Sequence, residues 1–155
     1  MKTKPDSLSS GQDAADLPYR PESNPPRPSS AAPRLAGASD VYEQLADIRG
    51  ADREHLVVLE LNVRHRLIDK RVVAIGTLTG LEAHPREIFK HAIINSAAAI
   101  IIAHNHPSGD CTPSTADLEL TGRLREVGSL VGIPLLDHLV VATAGYVSLA
   151  ERNWR

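Results

Sequence analysis

From residue 39 onward, apolar side chains come in blocks, and their spacing changes from block to block. Val41, Leu45 and Ile48 fall at i, i+4 and i+7; with Ser39 as N-cap and Gly50 as stop they predict a short helix. Leu56, Val57, Val58, Leu59 and Leu61 form a dense run broken by Glu60, which predicts a strand from His55 to Leu61. Asn62 to His65 reads as a turn, and Arg66 to Leu78 as a partner strand with a bend at Gly76, together a hairpin. Pro85 suits the first position of a helix whose stripe is Ile88, Phe89, Ala92 and Ile93, running to about Ser96. Ala97 to Ala103 reads as a buried strand that ends directly on His104. Pro107 to Pro113 is a loop. Ser114 then caps a helix beginning at Thr115, with Leu120, Leu124, Val127 and Val131 on its buried face and Gly132 at its end. Pro134 to Ala142 and Tyr146 to Leu149 read as two more strands, turned at Ala144-Gly145. The order predicts an α/β (α+β) three-layer domain, and no internal repeat interrupts it.

Residues 1–38 lack such a pattern. Pro5, Pro18, Pro21, Pro25, Pro26, Pro28 and Pro33 lie there among Ser, Ala, Asp and Arg. A segment like this buries too little surface to offset its ordering entropy, so it is expected to be a disordered Pro/Ser-rich tail, with the folded domain at 39–155. The whole chain of 155 residues is 42% hydrophobic and only 3% aromatic, so the core is aliphatic. A formal charge of −2 and the lack of any basic block argue against a general nucleic-acid binder. The single cysteine, Cys111, excludes an intrachain disulfide and a Cys-based zinc knuckle, and it suits a cytoplasmic setting. The N-terminus carries no apolar signal-peptide core, and Ala97 to Ala103 is too short to span a bilayer.

The segment from His104 to Asp117 concentrates the chemistry. His104 and His106 are two apart at a strand end, so their rings face one side. The loop turns at Gly109, and the cap at Ser114 sets Asp117 in the first turn of the next helix, pointing back toward the strand end. Each residue alone has a structural explanation. Asp117 reads as the acid of a capping box with Ser114, and a lone strand-end His is usually structural. Together, two imidazoles and a carboxylate form a catalytic zinc set with a fourth position open to water. One Asp117 oxygen can cap while the other binds metal.

His104, His106, Pro107, Ser114 and Asp117 follow the spacing His-x-His-Pro, six residues, Ser, two residues, Asp, and this resembles the JAMM (MPN+) metalloprotease motif. Ala103 to Asp110, Leu136-Asp137-His138-Leu139, Arg53-Glu54-His55, Gly76-Thr77-Leu78 and His84-Pro85-Arg86-Glu87 resemble the RadC-like JAB branch of that family, over roughly residues 40–155. The resemblance implies an MPN/JAB-like, cytidine-deaminase-like three-layer sandwich with a central mixed sheet flanked by helices. It implies a zinc metallopeptidase or isopeptidase in which a zinc-activated water attacks an amide carbonyl. By the same match, His104, His106 and Asp117 hold Zn2+, Ser114 stabilises the oxyanion, and a glutamate from an early strand is the general base. Glu54 takes that role, with Glu60 as its rival. Glu60 interrupts an apolar strand and needs a partner if buried, or else faces solvent at an edge. Glu87 reads as a favourable charge at a helix start.

RadC-like proteins usually carry a helix-hairpin-helix module where this chain has its Pro-rich tail. Cys111 stands where that branch more often has Pro, and it reads as a loop residue rather than a ligand. Asp137-His138 reads as a pair that orients a ligand from behind or as a satisfied core pair bonded to neighbouring backbone, and His55, His65, His84 and His91 as surface or turn residues. Two competing functions are a metal-dependent nuclease and a non-catalytic interaction module. The expected partner is a peptide or protein substrate, with no nucleic acid and no membrane.

Overall fold

The computed structural model describes residues 31–76 and 83–154. Its elements are α1 (Ala38–Glu43), β1 (His55–Leu61), β2 (Leu67–Ile75), α2 (Pro85–Ile94), β3 (Ala99–Asn105), α3 (Thr115–Val131), β4 (Leu135–Ala142) and β5 (Gly145–Ser148). The strands form one sheet in the order β2-β1-β3-β4-β5, which puts β3 at its centre. β3 and β4 are parallel and the other neighbours antiparallel. A parallel pair needs a long crossover, and α3 supplies it.

Alternation along the strands sorts the core into two layers. Val57, Leu59, Leu61, Ile101, Ala103, Leu139 and Val141 pack with Leu35, Ala38, Val41, Leu45 and Ile48 on one face. Leu56, Val58, Ile100 and Ile102 pack with Ile88, Phe89, Ala92 and Leu124 of α2 and α3 on the other. The result is the expected mixed sheet with helices on both sides.

Local signals account for most element ends. Pro85 opens α2, Ser114 caps α3, and Gly132 closes α3 in the left-handed region at φ 74°. His65 takes a left-handed φ of 56° in the hairpin turn, where Asn62 Oδ1 accepts from the Arg64 and Arg66 amides. Four details differ from expectation. The N-cap of α1 is Gly37 without a side-chain cap, and Ser39 lies inside the helix. That helix stops at Glu43; Leu45 and Ile48 reach the core from the turns that follow. β3 starts and ends two residues later than its apolar run, so both His104 and Asn105 belong to it. Ile93 and Val131, each in the last turn of its helix, are exposed.

The packed chain also begins ahead of residue 39. Arg34 bridges to Arg66, the Leu35 amide donates to His65 O, and Leu35 is buried. Leu35 is the one large apolar side chain near the end of the Pro-rich segment, and it extends the layer under β1. The rest of the expected tail, residues 1–30, lies outside the described residues, as does the end of the expected second strand at Thr77 and Leu78. Among the described residues, no helix is long and apolar enough to cross a membrane.

Candidate metal centre

β3 delivers His104 to the middle of the sheet, opposite Leu56 on β1 and Val140 on β4. His104 is buried at 1% exposure, and its ring faces α3. His106 follows just past the strand, with its amide held by Val141 O. The chain then turns through Gly109, whose φ of 83° disfavours any side chain, and reaches Ser114.

The capping box at α3 is complete. Asp117 N donates to Ser114 Oγ, while Asp117 Oδ2 accepts from Ser114 N at 2.7 Å and from Ser114 Oγ at 2.8 Å. The second oxygen, Oδ1, faces His104 Nε2 at 3.2 Å. The carboxylate therefore caps with Oδ2, which also lies nearest His106, and presents Oδ1 to His104. Burial alone would raise the Asp117 carboxyl, but His104 and the Ser114 donors outweigh it and hold the group well below the usual carboxylate range.

Four side chains converge. His104 Nε2 and His106 Nε2 are 3.0 Å apart, His106 Nε2 is 3.5 Å from Asp117 Oδ2, and Glu54 Oε1 is 3.8 Å from His104 Nε2. One donor atom from each of Glu54, His104, His106 and Asp117 lies within 4.8 Å of the others. They line a cleft of about 530 Å³ with Ser114, His84, Glu119 and Arg123.

The donor chemistry fits a divalent cation. His106 Nδ1 lies 2.7 Å from Asp110 O. A carbonyl only accepts, so Nδ1 carries the hydrogen and the neutral ring turns its Nε2 lone pair inward. Two imidazole nitrogens and two carboxylates facing one point repel one another unless a cation lies among them, and nitrogen with oxygen is a common catalytic donor set.

Glu54 sits just ahead of β1, and the backbone on both sides of it is clamped by Asn105. Asn105 Oδ1 accepts from His55 N at 2.8 Å, and Asn105 Nδ2 donates to Arg53 O at 2.9 Å. The middle residue of His-Asn-His thus holds the segment that carries the acid. Nothing local in the sequence marks it, since its partners are 50 and 52 residues away.

Glu60 is not brought to this cluster. It lies opposite Ile100, four positions along β1 from Leu56 and so about 13 Å away. It is buried rather than solvent-facing, with Asn95 Nδ2 donating to Oε2 at 2.7 Å. Glu87 is an exposed acid in the first turn of α2. Cys111 lies outside the donor group, with its thiol against Gly145 O at 3.3 Å; burial and neighbouring Asp110 push its pKa up. His84, expected at the surface, is exposed and also lines the cleft.

His138 and Asp137 separate in role. Asp137 accepts from His138 N, Ser148 Oγ and Ala150 N, and so ties β4 to the C-terminal turns. His138 is fully buried against His104. Burial first, then His104, hold its ring well below the ordinary imidazole value against the pull of Asp117, which leaves it neutral at pH 7.

Comparison with known proteins identifies the family. The chain is 51% identical over 118 residues to UPF0758 proteins of Bacillus velezensis and Bacillus subtilis, covering 76% of this chain and 50% of each of theirs. It is 44% identical over 110 residues to a UPF0758 protein of Enterococcus faecalis, covering 71% of this chain and 47% of that one. The chain thus spans about half the length of the curated relatives it matches. Residues 35–154 match the RadC-like JAB domain, a span that begins with buried Leu35 and takes in every element from α1 to β5. With that match covering most of its length, the chain belongs to the RadC-like JAB domain family.

Proposed function

We propose that the domain is a zinc-dependent hydrolase of the metallopeptidase or isopeptidase type, acting on an amide bond of a peptide or protein. The family and the donor cluster suggest a metal-dependent hydrolase. The narrower reading is carried by one observation: two imidazoles, Asp117 and the less buried Glu54 converge at the floor of an open cleft. His104, His106 and Asp117 would hold the ion. Zinc, when bound there, supplies Lewis acidity toward a carbonyl and makes water a nucleophile near pH 7.

The chain's own groups do the rest. Glu54 stands at the cleft edge, with its backbone pinned and its carboxylate toward the donors. It accepts a proton from water and passes it to the leaving nitrogen. Ser114 lines the same cleft and has its hydroxyl hydrogen on Asp117 Oδ2. Turning that hydrogen outward lets it meet the developing oxyanion, while Ser114 N keeps its bond to the carboxylate. The unpaired Cys111 supports a reducing, cytoplasmic setting.

Metal analysis and a peptide and isopeptide screen on zinc-loaded protein test this. One zinc per chain is expected, lost in His104→Ala plus His106→Ala. Glu54→Gln is expected to retain zinc and to lose about a hundredfold to ten-thousandfold in kcat. Stoichiometric zinc in the double variant, or full turnover in Glu54→Gln, would overturn the proposal.

A further inference from the structure

We infer that His138 and Thr121 fix the tautomer of His104 and so aim its Nε2 lone pair into the cleft; the inference rests on the metal reading of that site. Thr121 is on α3 one turn after Asp117, and His138 is on β4 beneath it. Both are buried, at 2% and 0% exposure. Neither supplies a donor to the cluster itself.

The direction of the hydrogen bonds is set from the far end. Thr121 Oγ1 lies 2.6 Å from the backbone carbonyl of Asp117, which accepts only, so the one hydroxyl hydrogen is spent there. Thr121 Oγ1 has none left for His138 Nδ1 at 2.6 Å, and must accept from it. A neutral His138 with its hydrogen on Nδ1 presents a lone pair at Nε2. His104 Nδ1, 2.8 Å away, therefore donates to it. His104 is left with its lone pair on Nε2, the atom that faces His106 and Asp117 at 3.0 and 3.2 Å. A doubly protonated His138 would reverse the last bond. It would also be a buried cation with no carboxylate within ion-pair distance among the described residues, a costly state.

The chain starts on the backbone of one candidate ligand and ends on the side chain of another. Asp117 and Thr121 share one face of α3, so docking that helix on β4 sets the carboxylate and the imidazole together. His138 and Thr121 are positioning residues, because they touch neither substrate nor ion. Partners of this kind typically govern metal affinity by about tenfold to a hundredfold.

Two measurements separate this from hydrolysis. Imidazole 1H–15N correlation spectra of the metal-free protein are expected to show hydrogen on Nδ1 of both His104 and His138, and none on Nε2 of His138. Chelator competition is expected to show zinc bound about tenfold to a hundredfold more weakly by Thr121→Val, and wild-type affinity regained in Thr121→Ser. A His104 ring with hydrogen on Nε2 and none on Nδ1 in the metal-free wild type would overturn the inference. So would a folded Thr121→Val variant with wild-type zinc affinity and tautomers. If Thr121→Val fails to fold, the wild-type spectrum alone decides. A wild type that takes up no zinc would sink the metal reading, and the spectrum would still decide the direction of the chain.

Discussion

One glutamate sits just ahead of β1 and another near its far end, and each is met by an asparagine, yet the two ends behave differently. At the hairpin end, Asn95 contacts the Glu60 carboxylate itself. Burial pushes that carboxyl up, Asn95 partly offsets this, and Asp69 adds to the rise. At the other end, Asn105 contacts only the backbone beside Glu54 and leaves the carboxylate facing the cleft. An acid is free to work when its main chain is held and its oxygens are not. An acid whose oxygens are engaged under a helix serves the fold.

The sharpest break in this comparison is at Asp117, which supplies what the Glu60 end lacks. Asp117→Asn keeps a side-chain oxygen able to accept from Ser114 and removes the charge. It is expected to lose zinc affinity by more than about a hundredfold in chelator competition, and the metal-free variant is expected to melt below the parent at pH 7, because the depressed Asp117 pKa means that the charge stabilises the fold. Asp117→Ala loses the cap as well, so its metal-free Tm is expected to be the lower of the two. Equal zinc affinity in Asp117→Asn would remove the carboxylate from the ligand set.

A smaller effect sharpens the role of Asn105. Asn105→Asp can still accept from His55 N but cannot donate to Arg53 O. The Glu54 segment then shifts, and kcat is expected to fall about tenfold to a hundredfold while zinc stoichiometry is unchanged. A parallel loss of zinc would mean that Asn105 shapes the ligands rather than the acid.

The smallest effect lies at Glu60. Native Glu60 holds its proton more tightly than the unfolded chain does, so the folded state loses stability as pH rises through the native pKa. Glu60→Gln removes that loss and still accepts from Asn95. Thermal melts should show the variant more stable than the parent at pH 7, by up to about 1 kcal/mol, with the gap closing as pH falls through about 4. A variant less stable at pH 7 would mean that the ionised carboxylate has a partner worth more than its burial costs.

What the sequence reveals here divides by range. The bounds of β1, the start at Pro85, the cap at Ser114 and the stop at Gly132 each depend on a few adjacent residues, and all were readable. So was the His104–Asp117 frame, because one strand, one turn and one cap determine it. The exposure of Ile93 and Val131 was not, since helical period alone does not show where the sheet ends. The Asn105 clamp and the His104–His138–Thr121 chain join residues 50, 34 and 17 positions apart. Their partners are set by strand order, and no local pattern encodes that. Gly128 is similar: a Cβ there would come within 2.6 Å of Ile133 O, a close approach hidden in an ordinary helical stretch.

The two imidazoles hang from very different supports. His104 is anchored through buried side chains, whereas His106 is tethered to a carbonyl in the exposed Pro107–Pro113 loop and keeps 19% of its side chain open. A substitution in the loop therefore reaches the site first through His106, and one in the buried core first through His104.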